Sequence, residues 1–162
     1  ELASYRNLPH PEREGKALRW DNYLRVMTDC YGEYLQKTVG LTQKIGTPFS
    51  FDIEISAYEI LRFFKMNQDL QHRWILNIDL DYFFARDFRH RPYMGRDYIK
   101  EIFKIFGQLL AQKKVAVMTI ALSPECSGGW KVALDLLNEI KAELALQIIA
   151  LPEIGNIPPG GN

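Results

Sequence analysis

Apolar residues along this chain recur in two patterns, some at helical spacing and some in short unbroken blocks, and the two alternate through its second half. From Asp21 onward, Leu24, Met27, Cys30/Tyr31 and Tyr34/Leu35 recur at helical spacing, which predicts a helix over about 21–38 with Asp21 as its cap. The stretch from Gly40 to Asp52 is turn-rich, Gly46-Thr47-Pro48 breaks any period, and Leu41–Ile45 is a candidate short strand. Ser56-Ala57-Tyr58-Glu59 has the form of a capping box, and Ala57, Ile60, Leu61 and Phe64 make one face of a short helix after it. Next comes an apolar block of strand length, Trp74 to Phe84, with Asp79 and Asp81 near its end. Asp97 is expected to cap a helix whose stripe is Ile99, Ile102/Phe103, Phe106 and Leu109/Leu110, ending near Lys113 or Lys114 where cations suit the helix dipole. Val115–Leu122 is a second unbroken block, the pattern of a strand covered on both faces. Trp130 to about Glu143 reads as a helix with Ala133, Leu134, Leu137 and Ile140 inward, and Leu146–Leu151 is a candidate for one more buried strand.

Strand, helix and strand joined by a connection of this length predict a right-handed parallel crossover. The fold expected is therefore α/β, a three-layer αβα arrangement around a mainly parallel sheet, over residues 20–151, with an arm at 1–19 and a tail at 152–162. Ligands of such sheets bind just outside the carboxyl ends of the strands. A crossover brings Leu122-Ser123-Pro124-Glu125 to the same edge as Asp79 and Asp81. Successive side chains on a strand point to opposite faces, so Asp79 and Asp81 share one side while Ile78 and Leu80 share the other. Carboxylates that close repel unless a cation lies between them, which suits a divalent metal or a phosphoryl site. The plainer alternative is that one Asp caps the following loop and the other is solvated. Ser127-Gly128-Gly129 lets the backbone turn tightly or approach a ligand at that edge.

Composition narrows the partners. The chain has 162 residues, 47% of them apolar or aromatic, and its 20 basic side chains balance 20 acidic ones, so no net field recommends nucleic acid or an anionic membrane. No apolar run approaches the roughly 20 residues that span a bilayer, and a cytoplasmic protein is the expectation. Cys30 and Cys126 are too few and too far apart for a disulfide framework or a zinc cluster. His72 stands at the amino end of the first strand, about 20 Å from Asp79 at roughly 3.3 Å per residue, so it cannot share a metal with the acids. His90 can, because its loop starts at the correct edge; a solvated His is the bland alternative, and His10 has no placement. The loop from Phe84 to Arg96 carries Arg86, Asp87, Arg89, His90, Arg91 and Arg96, and reads equally as a lid or as a solvated basic loop.

Three strings in order, Ala17-Leu18-Arg19-Trp20-Asp21-Asn22-Tyr23-Leu24, Trp74-Ile75-Leu76-Asn77-Ile78-Asp79-Leu80-Asp81-Tyr82-Phe83 and Leu122-Ser123-Pro124-Glu125-Cys126-Ser127-Gly128-Gly129-Trp130, resemble the arginase-related family that includes the peptide arginases. The resemblance implies a fold similar to the arginase/deacetylase superfamily and a hydrolase dependent on two Mn²⁺ ions. Such an enzyme releases urea from arginine side chains, in a peptide or another arginine-containing substrate, and leaves ornithine. It also implies that Asp79 and Asp81 are metal ligands at the catalytic centre, that Glu125 grips the guanidinium, and that Asn22, in the first string, is a candidate substrate contact; His90 is a further candidate from the position of its loop at the same edge. Carboxylates suit Mn²⁺, and paired metals make a bound water nucleophilic near neutral pH. The family's other ligands, a His and an Asp-x-His-x-Asp motif, belong on earlier strands, and nothing before Asp79 reads so. The expectation is a carboxyl-terminal part carrying half of a site, in keeping with a first residue that is Glu1, or else an inactive member; a homo-oligomer is compatible with either.

Two other classes stay open. In a haloacid-dehalogenase-type phosphatase, Asp79 is the nucleophile, Asp81 the general acid, Ser123 the phosphate-binding hydroxyl and Lys131 the charge stabiliser, with Mg²⁺ as cofactor. Tyr82 replaces the small or β-branched residue usual after the second Asp, and no late acidic pair supplies the Mg²⁺ ligands. In a non-catalytic binding module, the basic and aromatic loop 84–96 recognises an acidic partner.

Overall fold

The computed structural model describes residues 23–42, 49–67, 71–84 and 92–145. It divides the chain into two compact units, Glu1–Ala57 and Tyr58–Asn162, both of which mix helix with a small parallel sheet. The chain is thus α/β in character. The arm 1–19, the candidate strand Leu146–Leu151 and the tail 152–162 lie outside the described residues, as do Asp21 and Asn22.

In the first unit, helix α1 spans Tyr23–Tyr31 and passes into a 3₁₀ turn at Gly32–Tyr34, so the helix ends short of the expected 38. Gly32 explains the early end, since glycine gives up more backbone entropy in a helix than other residues do. Strand β1, Val39–Gly40, pairs in parallel with β2, Ile53–Glu54; the strand lies just before the expected Leu41–Ile45, part of which is outside the described residues. Beside this pair the Asp52 carboxylate accepts hydrogen bonds from the backbone N–H and the hydroxyl of Thr38, at 2.7 and 2.8 Å. A Cβ at Gly40 would run into the Phe51 ring, so only glycine lets that ring cover the strand.

The second unit opens through a 3₁₀ turn at Ala57–Glu59 into helix α2, Ile60–Met66, whose Ile60 and Phe64 are buried as the stripe predicted. Strand β3, Trp74–Asp79, pairs in parallel with β4, Val115–Ala121, placing Leu76 opposite Met118 and Asp79 opposite Ala121. Between them runs helix α3, Arg96–Ala111. Its N-cap is Gly95 with no side-chain bond, so Asp97 sits in the first turn and is not the cap. Helix α4, Pro124–Ser127, and helix α5, Trp130–Glu143, follow β4.

Helices α3 and α5 pack on each other. Ile99, Ile102, Phe103, Ile105, Phe106 and Leu109 of α3 and Ala133, Leu134, Leu136, Leu137 and Ile140 of α5 are all buried, together with Leu76 and Leu80 from β3 and its exit. Full burial of one such side chain contributes about 1.5–3 kcal/mol, so this core holds the unit together. Phe64, Trp74 and Phe106 stack edge-on at 5.0–5.3 Å between rings, joining α2, β3 and α3. Where α3 crosses the end of α5, Gly107 lies so near the Glu143 carbonyl oxygen that a Cβ there would overlap it.

One expectation is corrected. The spacing predicts that β4 is covered on both faces, yet Val117 and its cross-strand partner Ile75 are each 51% exposed, and Asn77 and Thr119 beside them are also exposed. Unbroken apolar sequence signals two apolar faces; it does not by itself supply the layer that covers the second one. Among the described residues helices pack against one face only.

Candidate functional site at the strand ends

Strand β3 stops at Asp79 for a local reason. Its Oδ1 accepts a hydrogen bond from the Asp81 backbone N–H at 3.2 Å, which starts a 3₁₀ turn over Leu80–Phe83. An Asp that bonds backbone two residues on competes with the strand ladder and favours a turn. Alternation therefore ends before Asp81, and the expectation that Asp79 and Asp81 share one strand face is corrected. Asp79 stands on the open face with Ile75 and Asn77, while the half-buried Asp81 belongs to the turn. No described residue bonds the other Asp79 oxygen.

On the neighbouring strand the chain leaves β4 through Ser123 in the left-handed region, φ 41°, and enters α4 with Pro124 in its first turn. Ser127 is fully buried, and its hydroxyl donates back to the Ser123 carbonyl at 3.0 Å with the Leu122 carbonyl also in reach at 3.2 Å. That bond ties α4 to the end of β4. Gly128 and Gly129, at φ 90° and 100°, then turn the chain into α5, where a residue with a Cβ would be strained. Helix α4 packs beside the turn Leu80–Phe83, so the ends of both strands meet, as the crossover predicted. Glu125 lies in the first turn of α4, exposed and without an ion pair among the described residues. Asn22 and His90 lie outside the described residues, as does most of the basic loop. The loop's two ends are described: Phe84 bridges to Pro92, and the Tyr93 N–H donates to the Phe83 carbonyl at 3.0 Å.

Two tests of the proposed chemistries follow from these positions. Among the described residues no group of three or more His, Cys, Asp and Glu side chains is placed to hold a metal ion. Two Asp carboxylates, one already capping a turn, are far short of the about six ligands that Mn²⁺ takes, so the described residues alone do not make a two-manganese set. For the phosphatase reading, the Lys131 ammonium pairs with Asp135 one turn along its own helix at 2.8 Å, both exposed, and Ser123 is in place at the end of β4.

Sequence spacing does not reveal the meeting of Tyr82 and Tyr93 at this edge. Tyr82 follows Asp81 in the turn and meets Tyr93 edge-on, with ring centroids 6.0 Å apart. The Tyr93 phenol is pushed far above its ordinary value by burial first and then by a hydrogen bond with the Tyr82 hydroxyl, with Tyr82 and Tyr58 adding electrostatically. Tyr98, in the first turns of α3, is raised by burial first and then electrostatically by Tyr58 and Tyr82. Tyr58 is 85% exposed and Tyr93 43%. No periodic signal marks them, because each comes from a different local element.

No family model, curated protein or solved structure matches the chain. Among the described residues no helix is long and apolar enough to cross a membrane.

Proposed function

We propose that the shared edge of β3 and β4 is the substrate-facing part of an arginase-like, manganese-dependent hydrolase that releases urea from an arginine side chain in a peptide. The observation that carries this reading is the parallel register that sets Asp79 opposite Ala121, together with α4 packed on the turn after β3. Asp79 and Asp81 and the distant Glu125 thereby belong to one edge, where ligands of parallel sheets bind. Glu125 supplies a carboxylate for the guanidinium, a planar cation whose donors match two carboxylate oxygens. Bound manganese would supply the activated water, with Asp79 and Asp81 among its donors and the others coming from outside the described residues, His90 being the candidate named above. A three-layer fold of this kind places its further layer over the open face that holds Ile75 and Val117.

The test uses the full chain loaded with Mn²⁺, with metal content and urea release from a blocked arginine peptide measured side by side. Asp79→Asn keeps an oxygen for the Asp81 N–H and removes the charge, so it separates loss of a ligand from loss of the turn. The expected outcome is that Asp79→Asn and Asp81→Ala lose metal and urea release together, whereas Glu125→Gln keeps the metal and loses turnover. Urea release that survives Asp81→Ala rejects the reading.

A further inference from the structure

Helix α4 is a single turn, Pro124–Ser127, yet it is fastened at both ends more firmly than one turn requires. The chain enters it through Ser123 at φ 41° and ψ 58°, left-handed backbone that a residue with a Cβ adopts only under strain. It leaves through Gly128 and Gly129, at φ 90° and 100°. Strained backbone persists only where its surroundings over-determine it, and it gathers at sites that must keep one shape. Here the surroundings converge on one atom. The Ser123 carbonyl oxygen accepts from the Cys126 N–H at 3.0 Å, the Ser127 N–H at 3.1 Å and the Ser127 hydroxyl at 3.0 Å. At the other end the Gly129 N–H donates to the Pro124 carbonyl at 2.7 Å. Pro124 and Ser127, three residues apart, are the buried face of the turn, and Glu125 between them is exposed. The backbone bonds alone would close this turn, so the turn does not need a hydroxyl. Burying one costs stability that its bond must offset. What the hydroxyl adds is a second tie from α4 to the end of β4, and the turn carrying Asp81 packs against that same helix.

We infer that Ser127 is a positioning residue, whose buried hydroxyl holds α4 so that the Glu125 carboxylate stands in one place to meet the guanidinium. The inference rests on the reading above in taking Glu125 as the acid that grips the substrate, but it needs no metal. A planar cation is met by two carboxylate oxygens at once only if the carboxylate is held in orientation as well as in place. A helix of one turn has too little of its own cooperativity to hold anything, so the orientation must come from outside it. Ser127 is fully buried beneath the turn, and it acts through Glu125 without touching the ligand. Affinity is gained because the ordering is done before the ligand arrives.

The experiment measures binding of a blocked pentapeptide with arginine at its centre to the full chain in chelator, at a temperature where circular dichroism shows every variant folded. Glu125→Gln is expected to weaken binding by about tenfold or more, the scale of a lost charged hydrogen bond. Ser127→Ala should weaken it by about 3- to 10-fold in the wild-type background, and by less than about twofold in Glu125→Gln, because the two changes remove the same contact. Ser127→Thr and Ser127→Val match in shape and differ in the hydroxyl, so they separate the bond from the packing; the Thr variant should bind about threefold or more tighter. Ser127→Ala binding as wild type, an equal loss from it in both backgrounds, or equal binding by the Thr and Val variants overturns the positioning role and leaves the Glu125 assignment standing. Glu125→Gln binding as wild type does, including no binding by either, overturns the Glu125 assignment and the positioning role with it.

Discussion

Gly107→Ala sets two well-known effects against each other at one atom. In an exposed helix the change should stabilise, because alanine exceeds glycine in helix propensity by about 1 kcal/mol. Here the new methyl group points at the carbonyl oxygen of Glu143 where α3 crosses the end of α5, and the obstacle is backbone, which has no rotamer to give way. Overpacking of a core contact costs about 1–3 kcal/mol, and a backbone obstacle belongs at the upper end. The net expectation is destabilisation by about 2 kcal/mol, which for a chain of this size lowers the melting temperature by about 4–8 °C. Thermal unfolding followed by far-ultraviolet circular dichroism, with urea midpoints as a second measure, reads the difference directly. The unfolding slope in urea should stay as in wild type, because neither end state changes its exposed area appreciably. A melting temperature equal to or above that of wild type would show that α3 and α5 are not in close backbone contact, and with it would go the account of how the helical layer is assembled.

Gly95→Ser should act in the opposite direction, stabilising by about 0.3 kcal/mol in the same unfolding assay, because α3 begins at Gly95 with no side-chain cap and a Cβ there meets nothing. Ser127→Ala removes the buried bond to the Ser123 carbonyl and should cost about 1 kcal/mol, with a larger loss for Ser127→Val, which also brings a bulkier branched side chain to a fully buried position. The Asp52 carboxyl is held below its ordinary value of 3.8, first by the Thr38 backbone N–H and next by the Thr38 hydroxyl. Since the folded value lies below the unfolded one, this bond's contribution is complete above about pH 4 and fades as pH falls through the lowered value. A carboxyl titration by nuclear magnetic resonance should show the depressed value in wild type and a return part-way toward 3.8 in Thr38→Val, which keeps the backbone donor and loses the hydroxyl. No change in Thr38→Val would remove the hydroxyl from the account.

Much of the second unit was legible because its signals are periodic. The stripe from Ile99 to Leu109 and the inward set Ala133, Leu134, Leu137 and Ile140 are buried as their spacing requires, and the two apolar blocks are parallel neighbours. Periodicity works there because each element needs only one buried face, and a pattern of that kind is written locally. Asp79 shows where it fails. Its own side chain ended the strand by bonding two residues ahead, a short-range competition that an apolar block does not reveal. The same limit hid Gly95 in the role given to Asp97, where the preferred capping residue lost to the backbone's actual path.

What sequence determined on its own is the main elements of the second unit and the inner faces of α3 and α5, together with the delivery of Asp79 and Glu125 to strand ends. The tertiary structure alone decided which face of β3 and β4 stays open, that α3 and α5 meet at a backbone too close for a Cβ, and that Tyr93 meets Tyr82 on the turn that carries Asp81. The reason is one of range: propensity and spacing act over a few residues, whereas an exposed sheet face, a close helix crossing and a meeting of two rings depend on where distant segments come to rest.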